Sequence, residues 1–184
     1  LLVSEVLKPG VYEVDWNAVN FPSGVYFYTL RADKFSETRK MMLVKDVMKT
    51  QLVTLNADSK LGFANDIMYL GRIRHLPVVK GENVVGILTQ RDLYRSSLTS
   101  ILTNWKENKE FLDSIKVSEV MTKNVVTVAP DATIEEAAQI MIDKKVGALP
   151  VVRDKNTLVG LITETDVLQF FVDESKKRKL DFLY

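Results

Sequence analysis

The sequence predicts an α/β (α+β) fold, built mostly from one strand-helix-strand-strand-helix unit used twice, behind an N-terminal antiparallel β segment. Three observations predict it. The first is that Gly86-Ile-Leu-Thr-Gln-Arg-Asp92 recurs as Gly160-Leu-Ile-Thr-Glu-Thr-Asp166. The second is an opening word, Val44-Lys-Asp-Val-Met-Lys-Thr50, that recurs as Val117-Ser-Glu-Val-Met-Thr-Lys123 at an offset of 73 residues. Leu52-Val-Thr-Leu55 keeps that register with Val125-Val-Thr-Val128, and so does Leu76-Pro-Val-Val79 with Leu149-Pro-Val-Val152; at Gly86 and Gly160 the offset becomes 74, as a one-residue difference in a hairpin loop produces. The third is the texture of the first segment, where aromatic and β-branched runs alternate with turn residues. Solenoid repeats run roughly 20–50 residues. A longer period present twice indicates two fused subdomains sharing a core.

In chain order, Val11–Trp16, Gly24–Leu30 and Phe35–Val44 read as strands, separated by Pro22-Ser-Gly24 and Ala32-Asp-Lys34 turns. About 40 residues cannot close two sheets, so this segment reads as an incomplete β edge. In the second copy Val125–Val128 reads as a strand, and Thr133-Ile-Glu-Glu136 has capping-box spacing ahead of a helix over Ile134–Lys144. Ile134, Ala137, Ala138 and Met141 follow the i, i+3, i+4, i+7 pattern of a buried stripe. Leu149–Val152 and Leu158–Ile162 then pair across an Asp154-Lys-Asn156 turn, and a last helix starts near Asp166. The first copy follows the same plan, with its helix Leu61–Leu70 weakened by Gly62. Between the copies, Ile101, Leu102, Trp105, Phe111 and Ile115 stand among charges, which predicts an amphipathic connection that packs on the core with Trp105 as lid or anchor. The resulting division is 1–43, a β-rich segment; 44–95, first repeat; 96–116, connection; 117–172, second repeat; 173–184, a charged tail whose Lys176–Lys179 run reads as a solvated helix end.

Composition removes several function classes. The chain has 184 residues, 46% of them hydrophobic, enough for one substantial core. Lys+Arg 25 against Asp+Glu 24 leaves a net charge of +1, which provides no basic field for nucleic acid. With no Cys and one His, disulfides, thiolate chemistry and most zinc sites are excluded, and no metal site is expected. No apolar run of about 18 residues is present, so no membrane helix is expected and the repeats read as cytoplasmic. Catalytic groups are wanting too: there is no Ser-His-Asp set, Gly-rich phosphate loop or carboxylate cluster, and the chain is read as no enzyme.

The closing motif carries the chemistry. A strand ending at Thr163 and a helix starting near Asp166 put a hydroxyl and a carboxylate at a helix N-terminus, where backbone N–H groups favour an anion. A carboxylate there can accept both hydroxyls of a ribose. Thr89 and Asp92 repeat the arrangement. The same spacing is also that of a capping box, so the pair can serve strand end and helix start alone.

The ordered set of words, each present twice, resembles a tandem pair of CBS domains, a Bateman module, over residues 44–172. The resemblance implies two β-α-β-β-α units packed about a pseudo-twofold axis, two clefts for an adenosine-containing ligand such as AMP, ADP, ATP or S-adenosylmethionine, and dimerisation into a disc. It implies that adenine lies between the first strand and the residues before Leu-Pro: Thr50–Thr54 with Arg74, His75 and Leu76 in one cleft, and Lys123–Thr127, including Val125 and Thr127, with Gly147, Ala148 and Leu149 in the other. Thr54, Arg91 and Lys123 complete the candidate set, the arginines Arg72, Arg74 and Arg91 suiting phosphate in the first cleft, and Ala148 in place of His75 making the second roomier. The N-terminal words Tyr12–Ala18, Pro22–Tyr28 and Lys40–Lys45 resemble the C-terminal sorting domain of the type IX secretion system, which implies export but belongs at a carboxyl end. Met41 or Met42 stands where a free-standing version of the repeats would begin.

Residues 44–95 carry 8 Lys+Arg and 5 Asp+Glu, residues 117–171 carry 5 and 8, so the copies hold +3 and −3. Opposite signs favour a head-to-tail homodimer. The expected function is a regulatory module sensing an adenosine ligand and acting on another protein, with no obligatory cofactor; the alternatives are a structural dimerisation module with empty clefts and an exported fragment.

Overall fold

Residues 26–32, 35–97 and 105–181, with single positions 3, 8, 12, 14 and 16, are described by the computed structural model of the chain. β1 (Tyr26–Ala32) and β2 (Phe35–Met41) form an antiparallel hairpin, pinned by a 2.8 Å bond between the Thr29 and Thr38 hydroxyls. The hairpin is a two-stranded sheet by itself, with Phe27, Tyr28, Leu30 and Phe35 exposed. Half of the expected Val11–Trp16 strand lies outside the described residues, and Tyr12, Val14 and Trp16, described singly, sit in no strand.

The first repeat runs α1 (Val44–Val47), β3 (Leu55–Asn56), α2 (Leu61–Gly71), β4 (His75–Lys80), β5 (Asn83–Thr89) and α3 (Gln90–Ser97). After α4 (Trp105–Ser114), the second runs α5 (Val117–Val120), α6 (Ile134–Lys144), β6 (Ala148–Arg153), β7 (Thr157–Thr163) and α7 (Glu164–Asp181). The α+β class is as expected, and α6 has the bounds that its capping box and stripe indicate: Thr133 Oγ1 accepts from Glu136 N, and Glu136 Oε2 accepts from Thr133 N at 2.7 Å. The offset change has its loop: two residues, Gly81 and Glu82, join β4 to β5, whereas Asp154-Lys-Asn156 joins β6 to β7.

Three expectations are corrected. The Val125–Val128 strand shrinks to a single parallel bridge, Val128 to Val151, and its first-copy counterpart to β3. Too few ladder bonds form there to hold four extended residues in a sheet. The last helix starts at Glu164, two residues ahead of Asp166, because Thr163 caps it. In the connection, Leu112 rather than Phe111 is buried against the first core; Ile115 is half-buried, residues 98–104 lie outside the described region, and so does the side chain of Trp105. Gly62 gains a reason from the same contact: a Cβ there would lie 1.9 Å from Asp113 Oδ1, so glycine admits α4 against α2.

The opening words form the short helices α1 and α5, which sequence periodicity did not indicate. Their shared acidic residue explains them. Asp46 Oδ2 accepts from Leu43 N at 3.2 Å and Glu119 Oε1 from Lys116 N at 2.8 Å, satisfying a donor at each helix start. Each opener then packs on the other copy. Val44 N donates to Ala132 O (2.8 Å) and Ile134 N to Met42 O (3.1 Å), while Val117 N donates to Ser59 O (2.8 Å) and Leu61 N to Ile115 O (3.0 Å). Val44 is accordingly buried with Ile134, Leu149 and Ile162, and Val117 with Leu61, Leu76 and Leu88. The two cores are therefore each built from both copies. A five-stranded sheet, ordered β3-β4-β5-β7-β6, joins them through the Asn83–Thr157 pair.

Candidate functional site

The exchange of openers decides how the candidate cleft is assembled. Met121 and Thr122, at the end of α5, run beside β5, where Ile87 and Thr122 exchange backbone bonds of 3.0 and 2.9 Å. The glycine of the closing motif makes this approach possible. A Cβ on Gly86 would stand 2.3 Å from Met121 Sδ, and one on Gly160 equally close to Met48 Sδ, so the Met of each opening word lies over the Gly of the other copy's closing word.

Next to that contact is a cleft of about 490 Å³. The first copy supplies Arg74 and His75 from the start of β4, and Thr89, Arg91 and Asp92 from the β5–α3 corner. The second copy supplies Val125 from the stretch that follows its opener and Gly147 and Ala148 from the start of β6. Other expected residues lie elsewhere. Leu76 and Leu149 are fully buried, one in each core, because alternation along β4 and β6 turns them inward. Thr54, Lys123 and Thr127 do not line this cleft, and Thr163 and Asp166 form the corresponding corner of the second copy. His75 and Ala148 were expected in different clefts, but they line the same one: a Cβ on Gly147 would meet His75 Nε2 at 3.2 Å and Glu164 Oε1 at 2.9 Å. The starts of β4 and β6 thus face each other.

Sequence reasoning missed Thr122, Glu164, Tyr94 and Arg95, all of which line the cleft, whereas Asn124, which also lines it, falls within the expected Lys123–Thr127 stretch. The available signal was the register of the repeat for Arg95, one turn beyond Arg91 on α3; for the second-copy residues no local signal exists. Basic groups outnumber acidic ones around the cleft, with Arg74, Arg91, Arg95 and Lys145 against Asp92 and Glu164. The cleft thus favours an anion.

The closing corner is a reciprocal capping box. Asp92 Oδ2 accepts from Thr89 N at 2.9 Å and from Thr89 Oγ1 at 2.7 Å, and Thr89 Oγ1 accepts from Asp92 N at 3.2 Å. Thr163 and Asp166 repeat it, with 2.9, 2.5 and 3.4 Å. Capping therefore occupies one carboxylate oxygen of each aspartate and leaves the other to be accounted for. The capping role and a ligand role can coexist on one side chain.

Burial lowers His75 below its ordinary value of 6.5, and the Arg74 charge adds to the effect, with Glu164 and Asp92 opposing it. The unfolded chain binds the proton at higher pH than the folded one, so the stability from His75 is present above about pH 6.5 and is lost as pH falls through its lower folded value. Urea unfolding between pH 7 and pH 5 should show stability falling more steeply in the native protein than in His75→Ala, which carries the residue found at Ala148. Parallel curves would remove this role.

Among the described residues there is no cluster of three or more possible metal ligands, and no helix is long and apolar enough to cross a membrane. The profile of the CBS domain matches residues 44–98 and 117–173, more than half the chain, leaving residues 1–43 outside. A CBS domain-containing protein of Dictyostelium discoideum is 36% identical over 133 residues, covering 71% of this chain and 92% of that protein. The solved CBS domain pair of protein MJ0100, in complex with 5'-methylthioadenosine and S-adenosyl-L-methionine, superposes with a TM-score of 0.62 at 28% identity, covering 73% of this chain and 98% of that one. The homoserine O-acetyltransferase of Methanohalobium evestigatum is 33% identical over 125 residues, 67% of this chain but 23% of that enzyme.

Proposed function

Because the chain belongs to the CBS domain family and carries two such domains in tandem, we propose that it is a non-catalytic regulatory module that binds an adenosine-containing ligand bearing phosphate. The observation that carries this reading is the cleft formed by both copies, which the Asp92 corner lines together with Arg74 and Arg91. Asp92 offers an oxygen to ribose hydroxyls, the arginines suit phosphate, and Ile87, Val125 and Ala148 offer apolar surface to adenine. The MJ0100 pair, which was solved with two adenosine derivatives that carry no phosphate, supports the adenosine part of this reading, and the phosphate part rests on the arginines. A ligand contacting both copies can bias their relative disposition only if it binds two arrangements unequally. Isothermal titration with AMP, ADP, ATP and S-adenosylmethionine tests the reading. Micromolar binding that strengthens with phosphate count supports it; no heat with any of the four turns the assignment to the alternative.

That alternative is a structural dimerisation module, and the reciprocal capping boxes favour it, since they give Thr89, Asp92, Thr163 and Asp166 a purely structural duty. Both readings include a homodimer. Phe63, Tyr69 and Leu70 on α2, and Leu168, Phe171 and Val172 on α7, are exposed apolar side chains. With +3 and −3 on the copies, a head-to-tail pairing brings unlike charges together. Crosslinking should join first copy to second copy; links only between first copies would contradict this orientation. The sorting-like resemblance of the N-terminal segment is not part of either reading.

A further inference from the structure

The two copies hold one backbone arrangement and differ in the side chain placed on it. Lys49 and Leu161 exchange backbone bonds of 2.9 and 3.0 Å, and Thr122 and Ile87 exchange bonds of the same lengths. Lys49 and Thr122 are therefore equivalent positions, 73 residues apart, each fixed beside the closing strand of the opposite copy. From that position Lys49 Nζ reaches Asp166 Oδ1 at 3.3 Å. Asp166 is only 12% exposed, and its other oxygen already accepts the amide and hydroxyl of Thr163. Both of its oxygens are occupied by the protein. At the equivalent corner Thr122 carries no charge, and among the described residues Asp92 Oδ1 has no hydrogen bond or ion pair.

We infer that the two nucleotide clefts are unequal, Lys49 of the first copy closing the Asp166 corner from within so that the pair takes one nucleotide, at Asp92. This rests on the ligand reading of the previous section. A ribose hydroxyl needs a carboxylate oxygen with a lone pair directed into the cleft, and the ammonium already holds that oxygen at Asp166. The surrounding charge acts in the same direction. At the positions equivalent to Arg74, Arg91 and Arg95 the second copy has Gly147, Thr165 and Gln169, so its corner also offers a phosphate fewer cations. Lys49 is 66% exposed, which makes its ion pair a modest competitor rather than a permanent seal.

AMP titration of four proteins tests the inference: native, Asp92→Ala, Lys49→Thr and the double variant. Lys49→Thr is the appropriate change because Thr122 already holds the same backbone bridge. Expected are one AMP per chain in the native protein, its weakening by at least about tenfold in Asp92→Ala, and a second AMP in Lys49→Thr. In the double variant binding returns at the Asp166 corner, up to about fivefold tighter than any residual binding to Asp92→Ala, as release of an exposed ion pair allows. Two equal sites in the native protein, or a single site unchanged by Lys49→Thr, overturn the inference while leaving the nucleotide reading standing. Binding to none of the four overturns that reading and this inference with it.

Discussion

In the Asp92→Ala protein, AMP binding is expected to weaken by roughly 10- to 150-fold, corresponding to about 1.5–3 kcal/mol for hydrogen bonds to a charged group. The carboxylate sits at the N-terminus of α3 and lines the cleft, with one oxygen committed to Thr89 and the other without a hydrogen bond or ion pair among the described residues. Its removal also disturbs the capping box, at a cost to stability of about 1 kcal/mol, so affinity and unfolding must be measured on the same protein. Asp92→Asn separates the effects. Its amide oxygen can still accept from Thr89, which should preserve most of the stability, while loss of the charge weakens the ribose contact. Affinity that survives both substitutions would mean that the sugar is held elsewhere.

Gly160→Val is the substitution expected to harm the fold most, by about 3 kcal/mol, the upper part of the range for overpacking a core. A Cβ there would stand 2.3 Å from Met48 Sδ and 3.0 Å from its Cγ, and 3.2 Å from the backbone oxygen of Lys49. The methionine can swing away; the Lys49 carbonyl is held by its bond from Leu161 N at 3.0 Å. Relief is therefore incomplete. Met48→Ala in the same chain should recover at least about 1 kcal/mol, a coupling typical of residues in contact. Gly86→Val should be milder, because the three nearest atoms at that position all belong to the side chain of Met121. Urea midpoints compare the variants directly. A Gly160→Val protein within about 0.5 kcal/mol of native would show that the opener does not hold this close approach.

Much of the fold was legible because local rules and the repeat agreed. Thr133 and Glu136 announced α6, its apolar stripe gave the buried face, and the shift from 73 to 74 located the longer hairpin loop. Where only propensity supported an element, it proved weaker: Val125–Val128 is β-branched enough for a strand, yet a strand exists only through partners, and one bridge was all that formed. Phe111 and Leu112 show the same limit, since neighbouring apolar residues on a short helix cannot both face the core and the sequence does not say which one does. In the candidate site the Thr–Asp corner and Arg91 were readable from the closing motif, and Arg74 from its place just before Leu-Pro. Lys49, Thr122 and Glu164 were not, because nothing in their own neighbourhoods points to the opposite copy.

The sequence by itself determined the duplicated unit, the order of its main helix, paired strands and closing helix, and the capping chemistry at Thr89 and Thr163, all of which depend on residues close together in the chain. Only the tertiary structure decided that the openers are exchanged, that His75 and Ala148 share a cleft, and that Lys49 occupies one aspartate while the other keeps an oxygen open. The reason is the duplication. Two nearly identical partners offer each opening word nearly the same glycine and the same strand to pack against. Periodicity and motif spacing are therefore equally satisfied by packing within a copy or across copies, and only the path of the chain in space selects between them.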